Sequence, residues 1–493
     1  MTRSISHNPF SPWAGLPQAL TVFALCLLVR LITTIHHIED ADSLRFALAM
    51  IDFDVTLLQP QFPGYPVFCF FAKILYALTG SYAQAFSLLG GTGLFVIVHY
   101  TLALLKWRFS EARGFVLTLL LVFNPMLWIL GNRYMTDLSG AACVLAAFYH
   151  LTRTGSRAHA AIGFFLVGIQ AGWRLSFLPF LLIPLVMNLL RRPWKTEKTT
   201  EKVLAGTVGV LIWLIPFIVV TGWNELLATS GRQTEGHFLK TGGTYISEPG
   251  WLLRAARLVQ DVWVDGLGTW WPGRNPVTLL VSAGALLFLT RGVLAASKKE
   301  SGDSRNTSLR VLALSCAVYA VWIFVFQNVV NQPRHVLPLI PPILMLIANG
   351  LPSVWNVWRP MISTGLRIIA VLFLIAYGIV GATLAAQHKQ PAAIAQVRNY
   401  LAKDTDSSGV LVGAPWVVKC LSTQGIQRQF HVVETLPELE TLKKLDSQKT
   451  IVTVGNYSDY IQRPIIAKKT FYHNPYVNRL GSRVEVFWYG PAQ

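Results

Sequence analysis

Long apolar stretches alternate with short polar ones along most of the chain, and the pattern then changes towards the C-terminus. Runs close to the ~20 residues that a bilayer requires occur at Ala19–Ile38, Tyr82–Leu105, Gly114–Leu130, Val203–Val220, Val311–Phe326 and Ile368–Ala386. Shorter ones lie at Leu138–Leu151, Pro276–Leu289 and Val336–Ala348. Tyr65–Leu78 is apolar with helical spacing and is expected in or along the interface. Ala160–Leu190 is long, interrupted by Gly172-Trp173-Arg174 and basic at both ends. Two short helices turning near Trp173 would keep both basic ends on one side, as the positive-inside rule prefers. The sum is about eleven spans.

Past Gln387 the spacing becomes that of a small α/β domain. Pro391–Lys403 and Glu438–Leu445 read as helices, and Gly409–Trp416, His431–Glu434, Thr450–Gly455 and Val484–Gly490 as strands. The expected division is therefore residues 1–386, a mainly α polytopic membrane domain, and 387–493, an α/β domain outside the membrane. Its glycines make no dinucleotide fingerprint.

Composition supports the membrane reading: 53% of the 493 residues are hydrophobic and only 13% charged, against about 25% charged in soluble domains. The formal net charge is +18. Lys106, Arg108, Arg113, Arg153, Arg157, Arg191, Arg192, Lys195, Lys198 and Lys202, with Arg291, Lys298, Lys299, Arg305 and Arg310, fall on alternate connections; the other short loops hold little beyond Arg133 and Arg334. Much of the charge thus marks topology, with the N-terminus cytoplasmic and the C-terminal domain extracytoplasmic, and nucleic acid is not an expected partner. The N-terminus has no short apolar core followed by a cleavage site. The five cysteines share no ligand spacing, and small buried hydrophobes are favoured over disulfides or zinc.

Charge within this apolar background marks the candidate chemistry. Glu39, Asp40 and Asp42 follow the first span, and carboxylates beside a bilayer are costly enough to need a reason, whether a helix cap or a site. In the expected topology Asp137, after the third span, and Arg334 and His335, before the tenth, share the outer face with them; Arg174 joins if the hairpin forms. Acids and cations at one membrane surface suit a reaction between a lipid-linked phosphate and a polar acceptor. Capping for Asp137, snorkelling for Arg334 and His335, and structural pairing for Arg174 and Arg30 are the competing readings.

These segments resemble the multi-spanning GT-C glycosyltransferases, which use polyprenyl-phosphate sugars and include protein O-mannosyltransferases and lipid A glycosyltransferases. The family's first-loop acidic motif and its proline-rich turn resemble EDADSLRFAL, from Glu39 to Leu48, and QPQFPGYP, from Gln59 to Pro66. Its later acid resembles Asp137 in RYMTDLSG, and its basic motif resembles PRHVLPLIPP from Pro333 to Pro342. Two departures stand out: the common Asp-Glu pair is Asp42-Ser43, and the His-Pro before PGYP is Gln61-Phe62.

The resemblance implies a multi-pass protein of the bacterial inner membrane. It would move a sugar from a polyprenyl-phosphate donor to a lipid, glycan or protein hydroxyl by inverting displacement. Asp42 is the expected base, with Asp40 and Glu39 as further catalytic acids that orient the acceptor or hold a divalent cation, Mg2+ or Mn2+; no metal site is assigned. Asp137, Arg334, His335, Tyr65 and Arg174 are the expected substrate-binding residues. The strongest rival is a transporter or flippase of a lipid-linked or charged solute, which would show repeated halves and midplane charges; neither pattern is present. A non-enzymatic assembly protein is the other.

Overall fold

The computed structural model describes residues 11–153, 156–190, 199–236, 243–246, 250–297, 304–352, 362–404, 409–442 and 449–490. They form two compact units: Met1–Thr34 with Ala49–Ala385, and Ile35–Leu48 with Ala386–Gln493. The first loop, with all three of its acids, therefore belongs to the second unit and not, as the sequence division has it, to the membrane domain.

The first unit is helical. Its helices are α1 Leu16–Ile32, the end of α2 Ala41–Ile51, α3 Pro66–Thr79, α4 Tyr82–Leu105, α5 Ala112–Val122, α6 Pro125–Asn132 and α7 Asp137–Thr152, followed by α8 Arg157–Arg174 and α9 Leu182–Leu190. Then come α10 Thr199–Thr221, α11 Trp223–Glu235, α12 Trp251–Gln260, α13 Val277–Ser297, α14 Ser304–Phe326, α15 Ile340–Gly350 and most of α16 Ile362–His388. In the apolar window of α4 67% of residues are buried, against 11% in α10. The glycines of α4 explain its central place: a Cβ on Gly90 would sit 1.8 Å from the Gly131 carbonyl, so α6 packs directly on its backbone. Lipid offers no hydrophobic drive between helices, and such close approach is what small residues supply instead.

Among the described residues six helical stretches are long and apolar enough to cross a bilayer: α4, Arg157–Leu190, α10, α13, Thr307–Phe326 within α14, and Thr364–Leu401, which takes in most of α16. Counting the bent pair α5–α6 as one span makes seven. The expected count of about eleven is not reached on these terms. The first span ends at Ile32, not Ile38, and the expected spans at 138–151 and 336–348 are helices of 16 and 11 residues. The 52° bend between α5 and α6 falls at Asn124-Pro125, where Asn124 caps α6 by accepting from the Leu127 amide.

The hairpin expected at Trp173 is overturned. Arg157–Leu190 runs on as a single 34-residue stretch, with a 3-10 segment, Leu175–Leu181, that accommodates Pro179 between α8 and α9. Gly172 serves a helix contact instead of a turn, since a Cβ there would meet the Trp213 ring of α10 at 2.6 Å. Basic residues 191–198 and 298–303, on which part of the orientation argument stood, lie outside the described residues.

The second unit holds a five-stranded sheet of order β2-β1-β3-β5-β4. Its strands are β1 Val410–Gly413, β2 Gln429–Val432, β3 Ile451–Val454, β4 Ile465–Tyr472 and β5 Arg483–Tyr489. β1 is parallel to β2 and β3, while β5 is antiparallel to β3 and β4. Helices α17 Ala393–Leu401, α18 Pro415–Thr423, α19 Leu436–Thr441 and α20 Ser458–Ile461 connect them. Val410, Val412, Ile451, Phe487 and Tyr489 centre the core. Two expectations need correction. Pro415 and Trp416 open α18 instead of closing the strand, as Pro suits a first helical turn. The second predicted helix ends at Thr441 in α19, and its last residues, 443–445, are outside the described set. β4 was missed because seven of its eight residues are exposed, as an edge strand permits.

Candidate functional site

In the first unit three sequence-distant segments converge on Asp137. It is the first residue of α7, and its side chain makes no cap bond, since Thr136 occupies the cap position. The carboxylate is fully buried and accepts from Arg174 Nη2 at 2.8 Å, with Arg174 Nη1 donating to the Thr136 hydroxyl at 2.9 Å. Arg334 Nε lies 4.0 Å from the same Asp137 oxygen. Arg334 is further held by Gln332 Oε1 at 2.7 Å and lies 2.7 Å from the Met135 sulfur. The buried Asp137 carboxylate thus lies beside two guanidiniums.

The surroundings fix these groups. Gly140 leaves room for Arg174, since a Cβ there would lie 2.8 Å from the Arg174 Cβ. Trp173 donates to Ser139 Oγ at 2.9 Å and stacks on Phe71. The Tyr65 and Phe177 rings lie 5.8 and 5.3 Å from the Arg174 guanidinium. His335 pairs its Nε2 with Gln332 at 3.2 Å, while its backbone carbonyl accepts from the buried Tyr319 hydroxyl. Tyr65 takes the left-handed conformation at φ 46° after Gly64 at φ 80°, so the PGYP turn ends on a residue that both caps α3 and faces Arg174.

Helix α11 holds that turn. Gln233 of α11 accepts from the Phe62 amide at 2.6 Å and donates to the Val55 carbonyl at 3.2 Å. Asp54 accepts from the Thr56 amide and hydroxyl at 2.8 and 2.6 Å, an Asx-type turn. Arg30 is fully buried; Nη2 donates to the Leu127 carbonyl at 3.2 Å, and Trp128 lies 5.5 Å away.

In the second unit the three loop acids take different roles. Glu39 pairs with His388 Nε2 at 2.9 Å, both side chains 1% exposed. Asp40 accepts from the Ser43 amide and hydroxyl at 2.9 and 2.6 Å, capping α2 (Ala41–Ile51), and its other oxygen accepts from Asn478 Nδ2 at 3.1 Å. Asp42, in the first turn of α2, keeps 15% of its side chain exposed beside Arg45 at 3.3 Å. His388 and Asn478 carry no sequence signal that marks them. Among the described residues no three His, Cys, Asp or Glu side chains are grouped to hold a metal ion, and Glu39 and Asp40 are turned towards protein donors. Cys420 is a packing residue, its thiol pushed up to about 12 chiefly by burial.

No family model matches the chain, and no curated protein does. Among solved structures, ArnT from Cupriavidus metallidurans bound to undecaprenyl phosphate superposes with a TM-score of 0.54 at 11% identity, covering 96% of this chain and 98% of that one. The chain has the ArnT fold. The apo state of ArnT gives a TM-score of 0.51 at 13% identity over 95% and 97%. The likeness to ArnT thus takes in nearly the whole of each chain, sheet-bearing unit included, and is a likeness of fold.

Proposed function

We propose that the chain is a GT-C glycosyltransferase of the bacterial inner membrane. It transfers a sugar from a polyprenyl-phosphate carrier to a hydroxyl acceptor at the outer face. The observation that carries this reading is the near-complete fold likeness to ArnT, whose crystal structure holds undecaprenyl phosphate. The Asp137, Arg174 and Arg334 arrangement supports it with two guanidiniums, planar donors of the kind that suits a phosphate.

The chemistry is a displacement at the anomeric carbon. Asp42 accepts the proton of the attacking hydroxyl as the new glycosidic bond forms on the face opposite the phosphate, so the configuration inverts. The bond from the anomeric carbon to the phosphate oxygen breaks, and the carrier leaves as a phosphate whose added charge needs cations more than a proton. In the first unit Arg334 and Arg174 are the cations we assign to the phosphate, Arg through planar multidentate donors, with His335, Asp137 and Tyr65 as the further substrate-binding residues. Of the three acids Asp42 is the base, since the carboxylates of Glu39 and Asp40 serve as anchors and those residues are only 2% and 4% exposed, against 15% of the Asp42 side chain.

The test is incubation of the purified chain in lipid with radiolabelled polyprenyl-phosphate sugars. Wild type is expected to release sugar from its carrier, and Asp42→Asn to lose about 10²- to 10⁴-fold in rate, the usual worth of a general base. No release from any carrier, or equal transfer by the variant, overturns the proposal.

A further inference from the structure

The Asp42 loop is bonded to residues hundreds of positions away, all within the second compact unit. His388, the last residue of α16, lies 349 positions from Glu39, and Asn478, between β4 and β5, lies 438 from Asp40. These are buried contacts: His388 is 1% exposed, Asn478 4%, Glu39 2% and Asp40 4%. A carboxylate only accepts, so His388 donates from Nε2 and Asn478 from Nδ2, which fixes the ring tautomer and the amide orientation.

Behind Asn478 a chain of bonds leads into the domain core. Its Oδ1 accepts from the Leu480 amide at 3.1 Å, and its carbonyl oxygen receives His473 Nε2 at 2.8 Å. His473 Nδ1 in turn accepts from the Ala393 amide at the start of α17, at 2.9 Å. Ahead of Asn478, Asp40 caps α2 through Ser43 and so sets where that helix begins and which way its first turn points. Asp42 is in that turn, two residues on.

We infer that His388 and Asn478 are positioning residues for Asp42: the C-terminal domain, through its bonds to Glu39 and Asp40, sets the orientation of the helix turn that carries the base. The inference rests on the reading of Asp42 as base. It gives the C-terminal domain a part in the reaction and assigns Glu39 and Asp40 the work of anchors. Neither His388 nor Asn478 touches substrate in this account; each acts through the acid it holds.

Asn478→Asp sets a like charge against Asp40, His388→Phe removes the donor to Glu39, and His388→Gln keeps a donor of similar reach. In the full-length chain the first two are expected to lower kcat about 10- to 100-fold, the cost of a small misplacement of a catalytic group, with KM for the lipid donor unchanged. His388→Gln is expected to retain most of kcat. Hydrogen exchange by mass spectrometry over 41–48 reads the anchor without any activity: exchange there is expected to quicken in Asn478→Asp and His388→Phe, with α4 and α13 unaffected. If Asn478→Asp does not accumulate, Asn478→Ser replaces it, its side chain too short to reach Asp40. A wild type that transfers no sugar overturns the glycosyltransferase reading, whereas the exchange data still test the anchor. An active wild type whose variants keep kcat, or keep the exchange of 41–48, overturns the positioning role.

Discussion

Three acids within four residues look alike in the sequence, yet their environments give them different work. Asp40 shows the helix-cap reading at its plainest, Glu39 is buried in a hydrogen bond with His388, and Asp42 is the most exposed of the three. For Asp137 the opposite happened: a cap was a fair expectation from its place at a helix start, and the carboxylate turned instead to Arg174. Residue type and spacing could flag these positions but not choose among their uses, because the deciding partners sit in remote segments. The Asp137–Arg174 pair is testable by itself. With side chains 0% and 6% exposed, Arg174→Met leaves a buried carboxylate with a weaker cation, and removing one partner of such a pair costs about 3–5 kcal/mol. Pairing it with Asp137→Leu should return most of that loss, as read by thermal unfolding in detergent, because the two apolar side chains replace both charges. A double variant no more stable than Arg174→Met would show that the pair contributes nothing specific.

At the scale of elements, legibility followed exposure to lipid. α4 begins and ends where its apolar run does, and α10 and α14 also follow their predicted stretches. α11 and β4 were missed, since one is amphipathic and the other exposed on both faces, so neither has a long apolar run. The Trp173 hairpin failed for a different reason: a Gly in a long apolar stretch reads as a turn or as a helix contact, and only the facing helix decides. The α8–α10 contact shows how closely that decision is drawn. A Cβ at Gly209 would lie 2.3 Å from the Phe165 carbonyl, whereas at Gly206, one turn earlier, the nearest atom is 3.5 Å away. Gly209→Ala should therefore destabilise the chain by about 1–3 kcal/mol, the usual range for overpacking, and Gly206→Ala should leave its melting temperature within error. Equal melting of both variants would mean that the two helices do not meet as described.

At the scale of the whole chain, the order of motifs carried more than any one of them. Acidic loop, PGYP turn, Asp137 and PRH resembled a family, and the fold proved to be that of ArnT over nearly the full length at 11% identity. What the order of motifs could not reveal is that the first loop packs with the C-terminal domain, because that depends on partners 349 and 438 residues away. The basic connections supply the remaining expectation, that the N-terminus is cytoplasmic and the C-terminal domain extracytoplasmic. Cysteine labelling can test it, because the native thiols interfere little: four of five are buried and Cys316 is partly so. Ser110, exposed in the basic connection before α5, and Ser422, exposed at the end of α18, are suitable positions. In intact cells with a permeable outer layer, a membrane-impermeant maleimide should label Ser422→Cys and reach Ser110→Cys only after the inner membrane is opened. The opposite pattern would put the domain that holds Asp42 in the cytoplasm. A carrier-linked sugar presented at the outer face would then be out of its reach, and the proposed reaction would have to be given up even if the fold stands.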